Sequence, residues 1–368
     1  MNFAQVIGQY YTKESLIQSV QKGRIPHAQL FLGKTGWGGL PLALAYAKYI
    51  SCLNRTETDS CSECSSCRKY ATFTHPDLHF SFPFPREKGE KSSEIIGEWR
   101  KAILDNPYMG ILQWMQVLDA EKKQANIPLA ECREISKSLS LKPFESEFKI
   151  LLMWLPEYLG KEGNSLLKII EEPPPNTVFL LVAENPDKIL GTIISRTQSV
   201  RLKPIEEAAL YDFLIKNEKL EEEKARRLST ISQGDYTLLT DLLTDTESPY
   251  FELLKAWMSI CVRKSMPEIV AWSEHLGGFS KENLKGFLLY SIEILRGVMV
   301  FPHADEIIPW AGRERVFIEN FNKLTYSIND MELIVKNIEM ALSNIERNGR
   351  VPLVLTDLSY VIARNLKK

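Results

Sequence analysis

The chain lacks any apolar run of the ~18 residues that a membrane-spanning helix needs. Its first residues, "MNFAQVIGQYYTKESL", contain no secretory hydrophobic region. These absences argue against a membrane span and against export, so a soluble, cytoplasmic protein is expected. The chain also lacks an excess of either charge. Its 45 lysines and arginines face 47 aspartates and glutamates, a formal net charge of −2. No global field draws it to nucleic acid, which leaves only local basic patches. Lys367 and Lys368 make too short a basic tail to claim DNA binding. No internal repeat is found, and the one biased tract, the acidic "EKLEEEK" (218–224), reads as a solvated helix face.

What is present is ordinary globular material. The chain has 368 residues, 44% hydrophobic and 25% charged, enough for two or three domains. Over the first ~200 residues, strand-like and helix-like segments alternate. "AQLFLG" (28–33), "DLHFSF" (77–82), "FKILLMWL" (148–155) and "TVFLLVA" (177–183) read as strands, and "IISRTQSVRL" (193–202) includes a last short one. Helices are expected over 40–52, 128–141 and 163–173. Nearly continuous apolar strands separated by helices imply a parallel sheet covered on both faces, hence an α/β domain. Between residues 85 and 126 the text changes. "PREKGEKSSE" reads as an exposed, mobile loop and the aromatic-rich stretch after it as an insertion folded onto the core. After Pro204 only helical patterns remain, with Gly234 as a cap. Ile334, Ile338, Leu342 and Ile345 share one stripe, as do Leu355, Leu358, Ile362 and Leu366, so the C-terminal part is expected to be all-α.

Four of six cysteines crowd into "CLNRTETDSCSECSSC": Cys52, Cys61, Cys64 and Cys67, spaced C-x8-C-x2-C-x2-C. Clustered cysteines in an intracellular chain of this length favour a metal over disulfides. Four thiolates suit a closed tetrahedral structural zinc site with no open position for substrate. An iron–sulfur cluster and four unconnected thiols are the alternatives. Cys132 and Cys261 read as small core residues, His75 in "THPD" as a turn cap, and Trp114 and Trp154 as packing residues.

"GKTGWGGL" (33–40) lies between a strand and a helix, where a phosphate-binding loop G-x-x-x-x-G-K-[ST] would lie. Such a loop cradles phosphates on its N–H groups, its lysine reaches the β and γ phosphates, and its hydroxyl holds magnesium. Gly33 and Gly38 match the two glycines, but Gly39 takes the lysine position and Leu40 the hydroxyl position. Lys34 lies on the wrong side of the loop to substitute. The next strand ends in Trp154-Leu155 where a magnesium-holding acid is needed, and Glu157 comes about one turn late. Hydrolysis in cis is therefore not expected.

The order of these pieces resembles the clamp-loader subunits of bacterial DNA polymerase III, within the AAA+ superfamily, and among them the delta-prime kind. "RIPHAQLFLG" resembles the strand entering that family's phosphate loop, and the four cysteines match its zinc knuckle. "GNSLLKIIEEPPPNTVFLLV" is similar to its signature after the acidic strand, and "TIISRTQSVRL" to its S-R-C motif, as Ser195, Arg196 and Thr197. The likeness is dense over 5–85 and 127–245. It implies a RecA-like AAA+ domain (1–203) carrying the knuckle (52–67) and the insertion (85–126), a helical lid (204–247) and a helical collar (248–368) for oligomerisation. It also implies that Arg196 is an arginine finger reaching a neighbour's ATP, although by itself Arg196 reads as a surface arginine at a loop-to-strand junction. The polar sensor positions fall on Ala183 or Glu184 and on Thr237.

The function so implied is a non-hydrolysing stator. It would work with the gamma/tau ATPase subunits and the delta subunit to load the sliding clamp onto primed DNA. Zinc would be its own, while ATP and magnesium would be bound by its neighbours. An active ATPase with an unusual loop and a stand-alone zinc-dependent nucleic-acid-binding module are the rival readings.

Overall fold

The computed structural model describes residues 1–366 except 122, 245–248, 280, 304–309, 311, 325–326 and 348. The basic tail Lys367-Lys368 and the boundary expected at 247 lie outside the described residues. The chain forms two compact units. One comprises 1–217 with 233–237, the other 218–232 with 238–368. The segment 204–247, expected as one lid, is thus divided between them.

The first unit is built on a five-stranded parallel sheet. Its strands are β1 (Ala28–Leu32), β2 (Leu78–Ser81), β5 (Lys149–Trp154), β6 (Thr177–Ala183) and β7 (Gln198–Arg201), in the order β2-β5-β6-β1-β7. β3 (Phe84–Pro85) and β4 (Ala125–Asn126) form a separate antiparallel pair that closes the two ends of the insertion. Along the central strands every residue but Leu32 is buried, and alternate residues serve opposite faces. Phe31, Leu152, Leu180 and Val182 join one core, while Leu30, Leu151, Phe179 and Leu181 join the other. Helix Gly39–Ile50 is apolar all round and buried from Leu40 to Ile50, so it lies wholly inside the first of these cores.

Two local expectations are corrected. Residues 163–173 are not one α-helix. They continue a 3-10 segment, Pro156–Leu166, interrupted by a non-helical Gly160, and become α-helical only over Leu167–Glu171. The start of that segment follows Leu155, which is in left-handed conformation, so the chain leaves β5 through a tight turn. The stretch 86–95 is exposed at Arg86–Lys88 but is tied down at its end. Ser92 is buried, and its N–H and hydroxyl donate to the Glu131 carboxylate at 2.9 and 2.7 Å.

The remainder of the insertion is an aromatic cluster. Trp99 stacks on Phe82 (centroids 4.2 Å apart) and meets Trp114 and Trp154 at 5.2 and 5.1 Å. The second unit is all helical, with the tryptophan pair Trp257–Trp272 stacked at 5.1 Å and the Trp257 indole N–H bonded to Ser359 Oγ at 2.8 Å. The apolar stripes read from the sequence are buried apart from Leu342, which is half-buried, and Ile338, Leu355 and Ile362 are fully buried. None of the described helices is long and apolar enough to cross a membrane.

Candidate functional site

Three local constellations carry chemistry-bearing residues. The first is the cysteine cluster. The chain leaves helix Gly39–Ile50 at Cys52, loops out, and re-enters helix Ser65–Ala71 with Cys64 as its N-cap. Cys52 Sγ lies 3.5 Å from Cys61 Sγ, which lies 3.9 Å from Cys67 Sγ, and the four sulfurs are all within 4.8 Å of one another. Sulfurs at the corners of a tetrahedron around an ion at about 2.3 Å would stand about 3.8 Å apart, so the donor set fits one tetrahedral ion. Backbone N–H groups of Cys61, Cys64 and Cys67 point at the sulfurs of Cys52, Cys61 and Cys64. The N–H groups of Cys64 and Glu63 hold the Cys61 thiol down to about 6, within reach of the thiolate that a metal needs. The knuckle also fastens the N-terminus, because the Asp59 carboxylate accepts the Phe3 and Ala4 N–H groups at 3.1 and 2.9 Å. His75 is no ligand here. Its Nδ1 accepts the Asp77 N–H at 3.2 Å and caps the turn.

The second is the loop between β1 and helix Gly39–Ile50. Gly36 (φ +78°) and Gly38 (φ +89°) are left-handed, which a side chain would strain. Gly33, Gly38, Gly39, Leu40 and Trp154 border one cavity of about 20 Å³, together with Pro107–Met109, Val182 and Glu184. That is room for a water molecule, against the ~300 Å³ and more of a ligand pocket. A Cβ on Gly39 would lie 3.1 Å from Val182 Cγ1, so a lysine there would crowd the sheet. Trp154 offers an indole to the insertion's aromatic cluster where an acid would hold magnesium. Leu155 is buried and lies outside the cavity lining.

Acids do gather at this loop, but in other roles. Of Ala183 and Glu184, it is Glu184 whose side chain reaches the loop, accepting the Thr35 hydroxyl at 2.6 Å. Burial pushes its carboxyl up to about 7, opposed by the Thr35 bond. Glu157, also raised by burial, accepts the Glu184 and Asn185 N–H groups at 2.5 and 2.7 Å, a cap for the end of β6. Asp235 presses on Gly36, and Tyr236 N–H donates to Gly36 O at 3.0 Å. Thr237 bonds the carbonyl of Tyr108 at 3.3 Å. Tyr108 was missed as a site residue in the sequence, and Glu157, read there as an acid coming one turn late, serves as this cap. No motif marks Tyr108, which reaches the loop from 70 residues further along the chain.

The third is Arg196, between helix Gly191–Ile194 and β7. Its guanidinium is half-buried. It donates to Glu171 Oε2 (3.0 Å from Nε, 2.9 Å from the second terminal nitrogen) and to Thr192 O at 3.0 Å. Ser195 is exposed, and the Thr197 hydroxyl turns back to Ile194 O at 3.0 Å. All three lie outside the loop cavity's lining.

Comparisons with known proteins identify the family. The family described as "DNA polymerase III, delta subunit" matches residues 8–206. DNA polymerase III subunit delta' of Bacillus subtilis is 28% identical over 204 residues, 55% of this chain and 50% of that protein. Subunit gamma of Buchnera aphidicola is 30% identical over 249 residues, 67% of this chain and 56% of that one. The chain thus spans about half the length of these curated relatives. Among solved structures, a DNA polymerase III gamma subunit-related protein from Thermotoga maritima aligns over 96% of this chain and 99% of its own, at 14% identity and a TM-score of 0.39, too low to bear on the argument. With the family match covering more than half of its residues, the chain belongs to the DNA polymerase III delta-subunit family.

Proposed function

We propose that this chain is a clamp-loader subunit that hydrolyses no nucleotide itself. It works as a stator beside gamma/tau-type ATPase subunits and a delta subunit, and helps place a sliding clamp on primer–template DNA. The observation that carries the non-hydrolysing part is the loop at 33–40. Glycine and leucine stand in the lysine and hydroxyl positions, Trp154 stands in the acid position, and the cavity between them is about 20 Å³. Phosphoryl transfer needs positioned cations to offset charge on the γ-phosphate, and the carboxyl bordering this cavity, that of Glu184, carries the opposite charge when ionised.

Arg196 is the residue this chain offers to a neighbour. A guanidinium is permanently charged and forked to match phosphate oxygens. To reach a phosphate it would exchange its partly exposed bonds to Glu171 and Thr192 O for bonds to phosphate oxygens. The four cysteines hold a structural zinc, supported by the all-sulfur donor set and its spacing. Residues 1–203, 204–247 and 248–368 act as nucleotide-fold domain, lid and collar, and magnesium and ATP belong to the neighbours.

The test is reconstitution with the ATPase and delta subunits, a clamp and primed DNA, comparing native chain with Arg196→Ala. The expected result is an intact assembly whose stimulated ATP turnover at the served site falls at least about tenfold, as for fingers supplied in trans. Unchanged turnover in an intact assembly would remove Arg196 from the mechanism.

A further inference from the structure

Tyr108 is fully enclosed by three stretches of chain that are distant in sequence and that all meet at the loop. Its ring edge lies 3.2 Å from where a Gly38 Cβ would stand. Its hydroxyl oxygen accepts the Ile7 N–H at 2.8 Å. Its ring lies against the Tyr236 ring, centroids 4.3 Å apart and planes inclined at 34°, while its carbonyl accepts the Thr237 hydroxyl at 3.3 Å. Tyr108 is 5% exposed. The segments it joins are also tied to one another. Gln9 donates its amide to Trp37 O at 3.0 Å, and Gly36 O accepts the Tyr236 N–H at 3.0 Å. The backbone of Tyr108 is held as well, since Asn106 Oδ1 accepts its N–H at 3.0 Å at the end of helix Ile96–Asp105.

We propose that Tyr108 is a built-in occupant of the phosphate-loop site, through which the insertion couples the N-terminal segment 7–9, the loop 33–39 and the segment 235–237 into one rigid body. A ligand bridging three mobile segments orders them by adding contacts to each. Tyr108 supplies those contacts covalently, with no ligand to bind or release and no entropy of association. The inserted segment, otherwise without a role, becomes the element that delivers it. The aromatic cluster of Trp99, Trp114 and Trp154 is the anchor of that element. The site is thus closed from within. The proposal rests on the geometry of the first unit alone. Failure of the clamp-loader reading would leave it standing, and its own failure would show in the isolated chain.

The test is amide hydrogen exchange on the full-length native chain, Tyr108→Ala and Tyr108→Phe, with ATP binding to the native chain measured by equilibrium dialysis. In Tyr108→Ala, exchange is expected to speed up at least about tenfold together in 7–9, 33–39 and 235–237, with the helix Val351–Asn365 unchanged. Faster exchange confined to residues 106–110 would overturn the proposal, as would ATP retained by the native chain. Should the alanine variant not fold, Tyr108→Phe carries the test. It keeps the ring contacts with Gly38 and Tyr236 but removes the acceptor for Ile7. Faster exchange at the Ile7 amide with Tyr236 unchanged supports the proposal, and an unchanged Ile7 amide refutes it.

Discussion

At the scale of single residues, the loop 33–40 is packed against other parts of the chain, and the acid Glu184 is among the groups that border it. Glu184 has as its partner the loop's own Thr35 hydroxyl. Its carboxyl is raised from the ordinary 4.5 to about 7. The folded state therefore binds the Glu184 proton more tightly than the unfolded state does. Between about pH 4.5 and 7 the folded form keeps that proton while the unfolded form sheds it, so stability falls as pH rises through this window. Below it the cost of burying the charge is absent, and above it the cost is fully present. Glu184→Gln, which cannot ionise, is expected to remove this slope. Urea melts of native chain and variant at pH 4.5 and 7.5 should diverge by up to about 3 kcal/mol in the variant's favour at the higher pH. Parallel pH profiles would show that Glu184 is not the titrating group.

At the scale of elements, two added pieces brace the sheet, the knuckle and the insertion. The knuckle is a short loop with little apolar content, and a loop of that kind gains order from a metal rather than from a core. Its Asp59 passes that order to the N-terminal turn Phe3–Gln5. Stripping the metal with a chelator, or Cys61→Ser, is expected to lower the melting temperature by on the order of 5 °C and to speed exchange at the Phe3 and Ala4 amides. Mass spectrometry of the native chain under non-denaturing conditions should find one zinc per chain, lost in the variant. A metal-free native chain with unaltered melting would reduce the cluster to four thiols. The insertion, in turn, places Trp99 against Trp154 at the end of β5, so the residue found in the acid's place serves as a packing surface for the added segment.

At the scale of the whole molecule, nucleotide hydrolysis is expected to belong to an assembly and not to this chain. The purified chain alone should show no ATP turnover above background with or without primed DNA, measured by phosphate release. Turnover abolished by altering residues 33–40 would restore the active-ATPase reading. Tight, salt-dependent DNA binding by the chain alone that disappears with the metal would favour a stand-alone nucleic-acid module instead. The helical second unit holds together around Trp257, Trp272 and Phe287, at centroid distances of 5.1 to 5.9 Å.

Much of this was legible from local pattern. Continuous apolar runs such as "TVFLLVA" give a buried parallel strand because both of its faces need covering, and the structure has Thr177–Ala183 buried throughout. The C-x2-C-x2-C spacing brought sulfurs together because a tight turn separates residues three apart, whatever the rest of the chain does. The missing lysine and hydroxyl could be read off 33–40 directly. Tertiary structure alone decided which partners the site residues meet. Tyr108 reaches the loop from another element, Glu184 rather than Ala183 faces Thr35, and Arg196 rests on Glu171. Each of these is a contact between residues 25 to 149 positions apart. Periodicity and spacing report which face a residue turns to its neighbours in the chain, while the partner it meets there is set only when the sheet and the insertion close on one another.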